Sequence, residues 1–349
     1  MDAISFNVKY GRCIYILVVL MAVAFASCEN EKGVTDYSGT YCLNIQNLEM
    51  TIIQTGNNVT FTLTSGLLAD GTGTIEGDTL VLTASTAGSE SFECHLGFSE
   101  NGQSFSGPYH VADTNGIVTV KGILQGDKGE CSKYDIEANG IPQFIGHDFT
   151  QLHKIEKISK FRSGFGHSFT DGSETCRSMK HYYTPYEIYR ENDNIEIYSP
   201  VDGTIVSVSG EGEGAGTPLK NKEMQIRPND QPAFILAIFH CDIVSPDIST
   251  GRNVEAGELI GYARMYYEEW QEYVTSFDIA VWVNTPYGMR LVPYFDVMED
   301  NVFNDYISRG AVSRADFTIT KEARDADPLE CSGESFVTEG NLENWVTLK

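Results

Sequence analysis

The stretch IYSPVDGTIVSV, residues 197–208, reads as a strand, a tight turn at Asp202–Gly203 and a second strand. A related stretch, VEAGELIGY (254–262), follows, with Gly257 and Gly261 flanking a short apolar strand and Gly251 just before it. Between the two lies FILAIFH (234–240), an apolar strand that ends in His240. After them comes SFDIAV (276–281), an apolar strand that carries one carboxylate, Asp278. Strand, turn and strand therefore dominate the C-terminal part of the chain, which is read as one domain from residue 147 to residue 349.

The N-terminal part is also β in character. Alternation of apolar and polar residues runs through LEMTIIQTG (48–56), NVTFTLTS (58–65), GTIEGDTLVLTAS (73–85), SFECHLGFS (91–99) and GIVTVKGIL (116–124). The breaks are turn chemistry: Gly56-Asn57-Asn58, Asp70-Gly71, Gly77-Asp78, Asn101-Gly102 and Asn115-Gly116. Short strands at regular spacing predict a meander closing into a small barrel or sandwich over residues 37–140. The strand–QTGNN–strand–GTIEGD pattern resembles lipocalin-like domains of bacterial lipoproteins. A linker around Ala138–Pro142 separates this domain from the next. The expected fold class is thus mainly β, and 349 residues suffice for two domains. His95 and His110 are read as surface or barrel-lining residues, and His147 and His153 as surface residues.

Residues 1–28 stand apart as a leader. Lys9 and Arg12 precede CIYILVVLMAVAFA (13–26), an apolar run too short to cross a bilayer comfortably. The run ends in Phe25-Ala26-Ser27-Cys28, which resembles a lipobox and implies acylation of Cys28. Several acyl chains on one cysteine would anchor the protein stably in a membrane. The rival reading is a plain transmembrane anchor. Residues 29–36 form an acidic tether that resembles the surface-export signals of Bacteroidota lipoproteins, so the expected location is the bacterial cell envelope, lipid-anchored at the outer membrane, with exposure at the cell surface implied by the tether and the leaflet left open. A formal charge of −25 repels nucleic acid and anionic lipid surfaces, and no basic cluster offsets it. Nucleic acid is therefore excluded as a partner.

Beyond Cys13 and Cys28 there remain Cys42, Cys94, Cys131, Cys176, Cys241 and Cys331. An oxidising compartment permits disulfides among these six, and 15 pairings are open. Cys94 with Cys131 would staple two strands of the first domain. Cys176 with Cys241 would tie the 164–183 segment to the strand ending in His240, and zinc ligation by these thiols competes with that reading.

GFGHSFTDGSETCRSMKHYY (164–183) packs two histidines, an aspartate, a glutamate and a cysteine together. The order His167-x-x-x-Asp171, SPVDGTIVSV, FILAIFH, VEAGELIG and SFDIAV resembles the barrel-sandwich hybrid of LytM/lysostaphin-type zinc peptidases, a duplicated hybrid motif. The resemblance covers most of residues 160–283. It implies a zinc (Zn2+) ion held by His167, Asp171 and a third ligand, with peptidoglycan or another envelope polymer as substrate. Two departures stand out. Residues 172–196 intervene where a strand should follow almost directly. The family's His-x-His strand has lost both histidines, Ser276 standing for the first and Asp278 for the second.

Asp278 is the expected third ligand, His240 the expected base or water-orienting residue, and His181 a fourth ligand or replacement acid/base. Zinc accepts carboxylate oxygen, and three protein ligands plus water make a catalytic site. A set with two carboxylates and one histidine would bind less selectively and activate water less well. Asp278 within FDIAVWV needs a partner if buried: a metal, Arg177, Lys180 or His181. Three functions follow. One is metal-dependent hydrolysis of cell-wall peptide. The second is a non-catalytic wall-binding or scaffold lipoprotein that keeps the peptidase fold. The third is a surface-exposed structural lipoprotein whose N-terminal β-domain does the binding. Farther on, residues 295–309 read as an amphipathic helix, with Phe295, Met298, Val302 and Tyr306 on one stripe and Gly310 as its stop.

Overall fold

The computed structural model describes residues 35–45, 48–63, 71–85, 90–191, 194–211, 219–267, 271–338 and 340–349. The leader and Cys28 lie outside the described residues. The protein is mainly β. Eight antiparallel strands come first: β1 (Gly39–Leu43), β2 (Glu49–Thr55), β3 (Asn58–Leu63), β4 (Gly71–Glu76), β5 (Thr79–Ser85), β6 (Ser91–Phe98), β7 (Ser104–Ala112) and β8 (Val118–Lys128). Each pairs with the next, and Tyr41↔Lys128 to Leu43↔Gly126 brings β8 back onto β1, closing an up-and-down barrel. Closure removes the unpaired edges that an open meander would expose.

Alternation sets the inside of this barrel. Met50, Ile52, Val59, Phe61, Leu80, Leu82, Leu96, Phe105 and Leu124 point inward and are buried. An eight-stranded barrel is just wide enough for side chains to fill it. Close ring–backbone contacts help: a Cβ on Gly126 would lie 2.3 Å from the Phe105 ring, so only glycine fits there. The turn glycines Gly56, Gly77, Gly102 and Gly116 all have positive φ, as their turns require. Strands β1 and β7 escape the alternation reading. In β7 the dipeptide Gly107-Pro108 looks like a break, yet Pro108 still sits opposite Ile123.

The second β region is built from β9 (Ile155–Ser159), β10 (His181–Pro185), β11 (Glu196–Tyr198), β12 (Gly203–Glu211), β13 (Lys222–Pro228), β14 (Phe234–Ile243), β15 (Asn253–Val254), β16 (Leu259–Ala263), β19 (Phe277–Thr285), β20 (Gly288–Val292) and β23 (Trp345–Thr347). Two small hairpins, β17 (Tyr266–Tyr267) with β18 (Glu272–Tyr273) and β21 (Cys331–Ser332) with β22 (Ser335–Phe336), complete it. The stretch SPVDGTIVSV supplies the turn into β12, and VEAGELIG supplies β15 and the start of β16. β14 is the central strand. Its first half pairs with β19 and its last three residues with β16, while β13 lies along its other edge.

Both faces of β14 and β19 are covered, which explains their unbroken apolar runs. Phe234, Leu236, Ile238, Phe277, Ile279, Val281 and Val283 face one core. Ile235, Ala237, Phe239, Ala280 and Trp282 face a second, smaller core with Phe161 and Met179. The barrel and this region are not joined by chain alone, because Gly210↔Lys121 and Glu211↔Val120 pair β12 with β8.

Three expectations are corrected. The disulfides are Cys42–Cys131 and Cys176–Cys331, while Cys94 and Cys241 are buried free thiols. Cys94 faces the packed barrel interior, and burial pushes its thiol up to about 12. Cys241 lies against Gly261, whose added Cβ would meet its sulfur at 2.2 Å. The helix expected over residues 295–309 is shorter. A 3-10 turn covers Tyr294–Asp296, and the α-helix runs only from Asp300 to Ser308. The backbone between them is spent on the neighbouring chain: Phe144 and Ile145 N–H groups donate to the Val297 carbonyl, and Glu299 N–H donates to Ile145. The stripe is buried nonetheless, with Phe295, Met298, Val302 and Tyr306 all in the larger core.

Candidate functional site

Asp278 is 1% exposed. Alternation along β19 puts it on the same face as Ala280 and Trp282, and so in the smaller core. A bare carboxylate there would be costly. Its partner is Lys180, whose Nζ lies 2.8 Å from Asp278 Oδ2 with both side chains almost wholly buried. The contact is ionic, without the directionality of a hydrogen bond. The ammonium also sits in a corner of two nearly perpendicular rings, 3.6 Å from the Phe239 centroid and 4.3 Å from that of Phe169. Desolvated cation–π contacts of this kind contribute about 2 kcal/mol each. Lys180 thus ends in a closed box with one anionic wall and two aromatic ones.

The residues that surround the pair come from three directions. Tyr182 sits opposite Asp278 in the β10–β19 ladder. Its hydroxyl reaches His167 Nδ1 at 3.3 Å. The Tyr182 ring packs where a Cβ of Gly166 would be, 2.3 Å away, which is why glycine precedes His167. His167 is half-buried, and burial first, then the Lys180 charge, push its pKa below the usual value, with Asp278 opposing.

His240 arrives by a strained route. A regular strand would turn it away from the face that Phe239 shares with Asp278. Instead His240 has φ +56°, and the β13–β14 register shifts between Lys222 and Met224. Such backbone costs on the order of 1–3 kcal/mol and persists only when neighbours hold it. Here Nδ1 of the ring is 2.8 Å from the Tyr267 hydroxyl and 3.3 Å from Asn221 Oδ1, and Tyr267 donates to that same Asn221 oxygen. The other ring nitrogen lies 3.8 Å from Asp278 Oδ1, too far for a hydrogen bond. His240 keeps about 30% of its side chain exposed, so the cluster opens to solvent through it.

The structure therefore gathers His167, Asp278 and His240 around the Lys180 ammonium and sends two other expected residues elsewhere. Asp171 is a clip. Its Oδ1 accepts from the Ser173 N–H and hydroxyl, and its Oδ2 accepts from the Leu291 N–H at 2.9 Å, tying the segment to β20. Neither oxygen is turned to Asp278. Replacing Asp171 with alanine should cost about 1–2 kcal/mol of stability, read by denaturant unfolding, through lost hydrogen bonds to backbone; a loss below a few tenths would contradict the clip. His181 points to the opposite face of β10 from Tyr182. It donates from Nδ1 to Ser159 and packs on Phe161 and Phe295, sealed from solvent. Burial pushes its pKa down to about 4. That orientation turns it away from the cluster.

Residues 172–180, which the motif order leaves unexplained, are the ones that bring Lys180 in. Cys176–Cys331 staples them. Glu174 takes Arg162 and Arg177 on its two oxygens at 2.7 and 2.6 Å, and Arg177 also reaches Asp325. With both arginines committed to these acids, Lys180 alone goes to Asp278. Sequence reading had no signal for Tyr182, Tyr267, Asn221 or Phe239, because each joins the cluster across strands.

Among the described residues, no three His, Cys, Asp or Glu side chains come together in a way that would hold a metal. The donor set does not fit zinc: one carboxylate oxygen is taken by an ammonium, and Asp171 is engaged at β20. No family model and no curated protein matches the chain. Among solved structures, Helicobacter pylori Csd3 in its orthorhombic crystal is similar over 72% of this chain and 76% of that one, at 11% identity and a TM-score of 0.30. The hexagonal crystal form gives 12% identity and 0.27, over 75% and 80%. Superpositions this loose carry no argument about function.

Proposed function

We propose that the chain is an envelope lipoprotein, anchored to the membrane through Cys28, whose LytM-like centre has exchanged a metal for a lysine. It acts as a non-catalytic module that binds peptidoglycan or a related envelope polymer. The observation that carries this reading is the buried Lys180–Asp278 pair at 2.8 Å. The ammonium supplies the positive charge that Asp278 needs, at the place where the family resemblance would put the cation. A divalent ion would have to displace that ammonium from its two-ring box, leaving a buried lysine without its counter-charge. The partly exposed His240, held by the buried Tyr267–Asn221 pair behind it, would then serve as a hydrogen-bonding group for an amide-rich ligand rather than as a base for water. The leader, the lipobox and the order of the motifs support the envelope assignment.

The test is direct. Purified protein should carry no stoichiometric zinc by elemental analysis after exposure to zinc and removal of excess. It should cosediment with purified sacculi without releasing peptide. Stoichiometric zinc that His167→Ala removes, or hydrolysis of wall peptide, would return the centre to the metallopeptidases. Failure to cosediment would sink the wall-binding role while leaving the metal question answered.

A further inference from the structure

A groove of about 820 Å³ runs along the junction of the barrel and the second β region. That size is typical of a small-molecule site. Strands β7, β8, β12, β13 and β14 and the segment from Pro246 to Thr250 all contribute to its wall. Much of the lining is apolar: Val118, Ile123, Val208, Ile243, Pro246 and Ile248. Val118 and Ile123 are 40% and 38% exposed.

The charge of the groove runs against that of the chain. The protein has 49 acidic and 24 basic side chains, yet among the described residues lining the groove none is Asp or Glu. Lys121, Lys222 and His110 all line it. The strand ladders explain how they meet. His110 is opposite Lys121, Lys121 is opposite Gly210, and Gly210 is opposite Lys222. Directly opposed residues share a face, so the two lysines stand on one face, two strands and about 10 Å apart. The residue between them is a glycine, which leaves a space without a side chain between two ammonium groups.

Lys222 is 6% exposed, and among the described residues its ammonium has no hydrogen-bond or ion-pair partner. Burial and the like charge of Lys121 both press its pKa down, with Asp242 opposing. Asp242 does not relieve it by contact, since that carboxylate is committed to Arg264 at 3.2 Å and to the Asn221 N–H. Among the described residues, a nearly buried lysine beside a second lysine, in a groove with an apolar wall, is an arrangement that a bound anion would complete.

We infer that this groove binds an anionic amphiphile, an acyl chain that ends in a carboxylate or phosphate. The head sits over Gly210 between Lys121 and Lys222, and the tail lies along Val118, Ile123, Ile243 and Ile248. The overall negative charge keeps the chain off anionic surfaces as a whole, so single molecules are the fitting ligand. The proposal is independent of the Lys180–Asp278 centre, which uses other faces of the sheet.

Titration calorimetry on the purified chain, with probes below their micellar concentrations, tests it. Palmitate, hexadecyl phosphate and hexadecanol share a tail and differ in the head. At least one of the two anions should bind one to one, and hexadecanol at least about tenfold more weakly. Whichever anion binds more tightly identifies the source, free fatty acid or phospholipid-type head. Lys222→Met, which keeps the buried stem, and Lys121→Met, at an exposed position that folding does not need, should each weaken the anion about tenfold and leave hexadecanol unchanged. The proposal fails if neither anion binds, if hexadecanol binds as tightly, or if Lys121→Met leaves the affinity of the anions as it was.

Discussion

Replacing Lys180 with methionine is expected to destabilise the protein by about 3–5 kcal/mol, because it leaves Asp278 charged and buried with no cation in contact, His240 standing 3.8 Å away. Asp278→Leu should cost a similar amount for the mirror reason, stranding an ammonium between Phe169 and Phe239. The double variant should recover most of the loss. Methionine keeps the length of the lysine stem and its thioether packs well on rings, while leucine continues the apolar run of β19. Buried ion pairs exchanged whole for apolar residues are often neutral or better, so the coupling between the two positions should be several kcal/mol. Denaturant unfolding followed by far-UV circular dichroism reads these stabilities. Single variants that each cost under about 1 kcal/mol, or costs that simply add, would mean that the pair is not the buried ionic contact described.

Two buried groups on the larger core should give the protein opposing pH dependences that nearly cancel. His181 is held down to about 4 by burial, against an unfolded value of 6.5. Between pH 6.5 and 4 the unfolded chain takes a proton there that the folded one refuses, so stability present above 6.5 is lost as pH falls, about 3 kcal/mol in all. Asp148 behaves in the opposite sense. Burial raises it from 3.8 to about 7, against the hydrogen bond from Tyr306. Tyr306 donates to Oδ2 at 2.6 Å, Oδ1 is buried without a partner, Tyr183 and Tyr294 lie nearby, and Asp305 adds a like charge.

The folded state therefore keeps that proton between pH 3.8 and 7 while the unfolded chain releases it. Stability present below 3.8 is lost as pH rises through 7, about 4 kcal/mol. From pH 4 to 6.5 the two slopes oppose, and the wild-type stability should be nearly flat. Asp148→Asn should then become steadily more stable as pH rises across that window, and His181→Gln steadily less stable. Unfolding free energies at pH 4.5, 5.5, 6.5 and 7.5 would show it. Slopes of the same sign in both variants would contradict the assignment.

Much of this molecule is legible along the chain. Period-two alternation and the glycines at 56, 77, 102 and 116 place most of the barrel strands, because both are properties of a few consecutive residues. The unbroken apolar runs of β14 and β19 announce strands covered on both faces. They also make Asp278 conspicuous, since a carboxylate in such a run demands a partner. Lys180 was one of four candidates for that partner. The helix was overextended because Phe295 and Met298 fit its stripe, while the backbone groups of Val297 and Glu299 are claimed by Phe144 and Ile145.

What the chain determined by itself is local: where strands and turns fall, which face of each strand is apolar, and that one carboxylate would be buried. Only the tertiary structure decided that β8 returns to β1, that Cys42 takes Cys131 and Cys176 takes Cys331, that His240 turns back towards Asp278, and that an ammonium stands beside it. The reason is physical. Alternation and turn chemistry are fixed by neighbours in sequence, whereas partners across 89 or 155 residues are chosen by which closed packing leaves no charge or backbone group unanswered.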